Sequence, residues 1–204
     1  MTTEPFWSKS VIAVLVFSLL YTGGAVVASL AAGNSEFMFY IVVMAVLAAA
    51  VGLVHYRVRL TTACLWCLSI WGLLHMAGGL VPVPEDWPIN GEQRVLYSLW
   101  LVPGYLKYDH IVHAFGFGVT TWVCWQGLRA IVKPQPLQPT FGVLLLCVAA
   151  GMGFGATNEI VEFIAVLLIP NTNVGGYINT GWDLVANMVG AATAALLIRL
   201  GNHH

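Results

Sequence analysis

The chain has 204 residues, of which 59% are hydrophobic and 8% charged, and its mean hydropathy is +0.82. Soluble globular domains carry roughly 25% charged residues, so this composition excludes an ordinary water-soluble domain and fits a chain built for lipid. A formal net charge of −1, with no basic run long enough to track phosphates, gives no sign of a nucleic-acid partner, and none is expected.

Hydropathy predicts an all-α fold, a bundle of about six transmembrane helices in one integral membrane domain, each span near the ~20 residues a bilayer requires. The spans fall at about 8–32, 37–54, 60–81, 108–128, 141–169 and 182–200. A β-barrel would show short alternating strands instead. The first span follows Lys9 and runs apolar from Val11 to Ala32, longer than the roughly 7–15 residues of a signal-peptide core, which predicts a retained helix. Gly33-Asn34-Ser35 turns the chain into the second span, and His55 and Arg57 read as a solvated flank at its end. In the third span Cys64-x-x-Cys67 has redox or zinc spacing. It lacks a second ligand pair, so both read as small packing residues. Cys124 and Cys147 also lie in apolar segments, against a secreted disulfide framework.

Pro82 to Pro88 opens an outer loop, 82–107, whose Trp87, Tyr97, Trp100 and Tyr105 suit the membrane–water boundary. Within it, Glu92 to Tyr105 reads either as an interfacial helix or as a covered loop with aromatic anchors. Trp66, Trp71, Trp122 and Trp125 in the third and fourth spans read as packing or lipid contacts. Lys133-Pro134-Gln135-Pro136 separates the fourth span from a long fifth one. There, Gly151-Met152-Gly153-Phe154-Gly155 predicts close approach of another helix, or a kink. His203 and His204 read as a frayed terminus and are left out of any site.

Loop charges set the expected orientation. Lys9, Arg57, Arg59, Arg129, Lys133 and Arg199 lie at one set of helix ends. Glu36, Glu85, Asp86, Glu92, Arg94 and Lys107 occupy the opposite loops. The positive-inside rule then predicts both termini in the cytoplasm.

Ionisable groups inside the spans are the functional signal, because an Asp at a helix centre costs about 2.5–3.5 kcal/mol on insertion scales. At 1.5 Å per residue His75 lies about 22 Å above Leu60, and Glu159 and Glu162 about 27–32 Å above Phe141. Asp109 and Asp183 start descending spans, with His113 and Asn187 one turn deeper. Four helices therefore deliver polar groups to one outer layer. The i,i+3 and i,i+4 spacings of Asp109/His113, His110/His113, Glu159/Glu162, Asn158/Glu162 and Asp183/Asn187 place each pair on one helix face.

Three chemistries fit this layer. His75, Asp109, His113, Glu159, Glu162 and Asp183 form a ligand set for a divalent metal such as zinc, iron or manganese, supported by His110, Asn158 and Asn187. Without a metal, Glu159 and Glu162 are a candidate general base or proton-sharing pair that a histidine can serve. Alternatively, the groups are inter-helix hydrogen-bonding glue, worth ~0.6 kcal/mol each. As functions these become an envelope-lipid or lipid-linked chemistry with Glu159 or Glu162 as base, a proton-coupled carrier, and a non-catalytic membrane scaffold.

Three runs, Tyr108-Asp109-His110-Ile111-Val112-His113-Ala114-Phe115-Gly116, Asn158-Glu159-Ile160-Val161-Glu162-Phe163 and Gly181-Trp182-Asp183-Leu184-Val185-Ala186-Asn187-Met188-Val189-Gly190, resemble the YjdF-like inner-membrane proteins. More distantly they resemble the VanZ-like family. The likeness extends from about His75 to the C-terminus. It implies a multi-pass protein of the bacterial inner membrane with a polar site on its outer side. His110 stands where the VanZ-like pattern has a lysine and Glu162 where it has a glutamine, so glycopeptide tolerance is not carried over.

Overall fold

The computed structural model describes residues 7–132 and 136–201. Most of the Lys133-Pro134-Gln135-Pro136 break, and His203 and His204, lie outside the described residues. The fold is all-α: α1 Lys9–Ala32, α2 Ser35–Val58, α3 Thr62–Leu80, α4 Tyr108–Ile131, α5 Phe141–Leu168 and α6 Tyr177–Leu200. A small excursion between α3 and α4 holds a 3-10 turn, Leu96–Ser98, and a hairpin of β1 Trp100–Val102 with β2 Leu106–Lys107.

Five of these helices, α1, α2, α3, α5 and α6, are long and apolar enough to cross a membrane. α4, about 36 Å long at 1.5 Å per residue, is the exception in composition, carrying Asp109, His110, His113 and Arg129. It tolerates those residues because it packs against α3, α5 and α6, with its largest interface on α6. Glycines make that interface close. A Cβ on Gly190 would collide with the backbone carbonyl of Ala114, and one on Gly118 would come 3.1 Å from the Gly190 carbonyl oxygen. In the glycine run of α5, Gly151 seats Thr121 of α4 and Gly155 seats Asn187 of α6, while Gly153 meets nothing within 4 Å. Close approach is thus the role of two of the three.

Caps mark the turns. Gly33 ends α1 in the left-handed region at φ 61°, and the Asn34 side chain accepts from Phe37 N–H at 3.0 Å to start α2. α2 runs on through its basic last turn to Val58, and His55 is buried there rather than solvated. α6 begins at Tyr177, earlier than hydropathy predicts, because its first turn carries polar Asn179 and Thr180, and Asn179 accepts from Lys107 and donates to Asp183.

The Glu92–Tyr105 segment is not an interfacial helix. Pro82 and Val95, and Ile89 and Leu99, form antiparallel bridges. Gly104, at φ 78°, then reverses the chain after Pro103 so that Trp100 pairs with Lys107. β-Branched residues and a Pro-Gly turn favour this folded loop over a helix. Trp87 and Tyr105 stay exposed, whereas Tyr97 turns into the bundle beside His75.

Candidate functional site

His113 is the hub of the polar layer. It is buried on α4 with Asp109 one turn before it, and both face α5 and α6. Its Nε2 lies 3.6 Å from Asp109 Oδ1 and 3.9 Å from Glu162 Oε1, and its Nδ1 lies 3.9 Å from Glu159 Oε1. The Asn187 carbonyl oxygen lies 3.0 Å from Nδ1. An amide oxygen only accepts, so Nδ1 is the donor to it, and the other ring nitrogen, Nε2, faces the carboxylates of Asp109 and Glu162.

Neighbouring side chains hold the carboxylates in place. Asn158 donates to Glu162 Oε1 at 2.9 Å, one turn away on α5. Asn179 donates to Asp183 Oδ2 at 2.6 Å, one turn away on α6. Lys107, at the end of the hairpin, donates to Asp109 Oδ2 at 3.1 Å and to Asn179 Oδ1. His110 accepts from the Lys107 backbone N–H at 3.3 Å and lies against Trp182.

Two sets of ligand atoms converge within 4.8 Å of one another: Asp109, His113 and Asp183, and His113, Glu159 and Glu162. Either could hold a metal ion. Several polar atoms there are buried without a hydrogen-bond partner among the described residues: both carboxylate oxygens of Glu159, Asp183 Oδ1, Asn187 Nδ2 and His110 Nε2. Such orphans cost about 1–3 kcal/mol each, and more when charged. Charge points the same way. Four carboxylates face one lysine, and desolvating unbalanced charge costs several kcal/mol per ion. The cluster is chemically complete only with added positive charge, as a cation or as protons.

Five of the six sequence-predicted ligands, Asp109, His113, Glu159, Glu162 and Asp183, are therefore brought together, and His75 is not among them. It sits in an aromatic box, stacked on Trp71 at 5.6 Å and edge-on to Tyr40 and Tyr97, with Nδ1 bonded to the Tyr97 hydroxyl. Burial pushes the Tyr97 phenol well above its ordinary pKa, so Tyr97 stays protonated and is the donor. A void of about 10 Å³, bordered by Trp71, His75, His113 and Asn158, separates the two histidines.

Lys107 and Asn179 are the site residues that sequence reasoning missed. Lys107 precedes its helix, so helical spacing relates it to nothing. Asn179 does carry a signal, the Asn179-x-x-x-Asp183-x-x-x-Asn187 ladder, which hydropathy hides by starting the span too late. The cysteines are unpaired, with Cys64 and Cys147 buried as packing residues.

The chain belongs to the family described as predicted membrane protein (DUF2238), whose model matches residues 10–203. No curated protein and no solved structure matches it.

Proposed function

We propose that this multi-pass membrane protein, as a member of that family, holds a divalent metal at the α4–α5–α6 end and uses it on an envelope lipid or lipid-linked intermediate. The observation that carries this reading is the convergence of the Asp109, Glu159, Glu162 and Asp183 carboxylates on the His113 ring, with both Glu159 oxygens and Asp183 Oδ1 buried without a hydrogen-bond partner among the described residues. Imidazole with carboxylates suits zinc, iron or manganese. His113, Asp109 and Asp183 would be ligands on one side. Glu159 and Glu162 would complete the set or serve as general base, the ligand not engaged taking the substrate proton. Asn187 fixes the His113 tautomer, Asn158 orients Glu162, and His75 supports the pocket through Tyr97 rather than as a ligand.

The positive-inside rule supports an outer-face site in a bacterial inner membrane, with both termini in the cytoplasm. The YjdF-like and more distant VanZ-like likeness supports the same reading, since its motif residues are those that build the cluster.

Elemental analysis of the purified full chain tests the proposal. We expect stoichiometric zinc, iron or manganese, lost in His113→Ala and Glu159→Ala. Chelation should lower the melting temperature, since a ligand at 100 times its Kd contributes about 2.7 kcal/mol. A metal-free wild-type protein that takes up none of the three ions overturns it.

The void between His75 and His113 favours a second reading. It is near the lower limit for a single water, which would join Tyr97 and His75 to His113 and Glu162 as a proton path for a carrier. Proton flux in reconstituted vesicles from a metal-free protein selects that reading.

A further inference from the structure

A second cavity, independent of the polar site, lies along the opposite face of α4. It is a groove of about 950 Å³ between the N-terminal part of α3 and the length of α6. Its floor includes Ile111, Phe115, Gly118 and Trp122. On a helix wheel these sit on the far side of α4 from Asp109, His113 and Phe117. The walls along α6, from Val189 to Ile198, are apolar apart from Thr193, whose hydroxyl donates to the Val189 carbonyl. From Ile111 to Arg129 the groove runs about 27 Å at 1.5 Å per residue, close to twice the depth of one leaflet of a ~30 Å hydrocarbon core.

Its charged groups gather at one end. Arg59, Thr61, Gln126 and Arg129 line that mouth, and among the described residues no carboxylate lines any part of the groove. Arg129 is held over the Trp125 ring at 5.8 Å, and Gln126 accepts from Thr61 N–H at 2.8 Å, pinning the α2–α3 corner to α4. Among the described residues the carboxylates lie in or toward the other end of the bundle. Lys9, Arg57, Arg59, Arg129 and Arg199 mark this one. An apolar trough within the bilayer whose described lining ends in two guanidiniums is complementary to one kind of occupant: acyl chains carrying an anionic head group.

We propose that this groove binds an anionic phospholipid of the leaflet at the basic end, with an acyl chain along the α4–α6 wall and the phosphate at Arg59 and Arg129. Trp122 and Trp125 flank the chain near the head group, where aromatic rings collect. The proposal stands whether or not the polar site holds a metal.

Native mass spectrometry of the full chain in detergent, titrated with phosphatidylglycerol or phosphatidylcholine, tests it. Phosphatidylglycerol should be retained preferentially. Arg129→Gln should weaken its binding about fivefold, and Arg59→Gln with Arg129→Gln roughly 25-fold, with phosphatidylcholine unaffected. Equal retention of the two lipids by the wild type, or a preference the double variant leaves unchanged, overturns the proposal. If the arginine variants do not fold, wild-type quenching by bromine-labelled lipids decides, with the Trp122 signal taken by difference from Trp122→Phe. Stronger quenching by the anionic lipid supports the site, and equal quenching overturns it.

Discussion

Asn187→Ala separates the metal reading from mere packing. Asn187 is fully buried, and its carbonyl oxygen, 3.0 Å from His113 Nδ1, is what orients the imidazole and fixes its proton. Alanine removes that acceptor and frees the ring to rotate or change tautomer, leaving Nε2 less often directed at Asp109 and Glu162. Losing such an outer partner of a metal-ligating histidine typically costs 10–100-fold in metal affinity, which is about 1.4–2.7 kcal/mol. The metal-free protein should also lose about 1–3 kcal/mol of stability from the unsatisfied Nδ1–H. Competition of the detergent-solubilised protein against a chromophoric zinc chelator reads the affinity, and a thermal melt without metal reads the stability. Asn187→Asp keeps an acceptor in the same place and should restore affinity to at least the wild-type value. If Asn187→Ala melts lower yet binds zinc as tightly as the wild type, Asn187 is packing only and the tautomer argument is wrong.

Three further outcomes follow from the same geometry. Lys107→Met strands Asp109, and breaking a mostly buried pair of this kind costs about 3–5 kcal/mol. The metal-free melt should fall, and saturating metal should recover more of the loss than it adds to the wild type; an unchanged melt refutes the assignment. Gly190→Val drives a side chain into the Ala114 backbone carbonyl, which cannot swing aside. It should cost about 1–3 kcal/mol or more by overpacking, whereas Gly153→Ala, with open space around it, should melt at or slightly above the wild type. A periplasm-active reporter fused after His204 should stay silent, and activity there would place the carboxylate cluster on the cytoplasmic side.

Much of the site was legible because helical periodicity is local. Asp109 with His113 and Asn158 with Glu162 are related by one turn of a single helix. Depth arithmetic then aligned the helices, since each rises by a constant amount per residue. Apart from Asn179, what escaped it lies where no period applies. Lys107 reaches Asp109 and Asn179 only because the Trp100–Lys107 hairpin folds back over the bundle. Tyr97, which reads as a boundary aromatic, turns inward onto His75. For His75, height along α3 does not specify azimuth. Its face of α3 meets Trp71, Tyr40 and Tyr97 instead of the carboxylates.

By itself, then, the sequence determined an all-α membrane chain, the helices that carry polar groups, and the layer in which those groups meet. These follow from transfer free energy and helix geometry, both properties of single segments. Only the tertiary structure decided which groups converge, because that depends on how closely helices approach. The contacts of Gly190 with Ala114 and of Gly155 with Asn187 let α6 press against both α4 and α5. That approach brings Asp183 and Asn187 to His113 and leaves the far side of α4 open as an apolar groove.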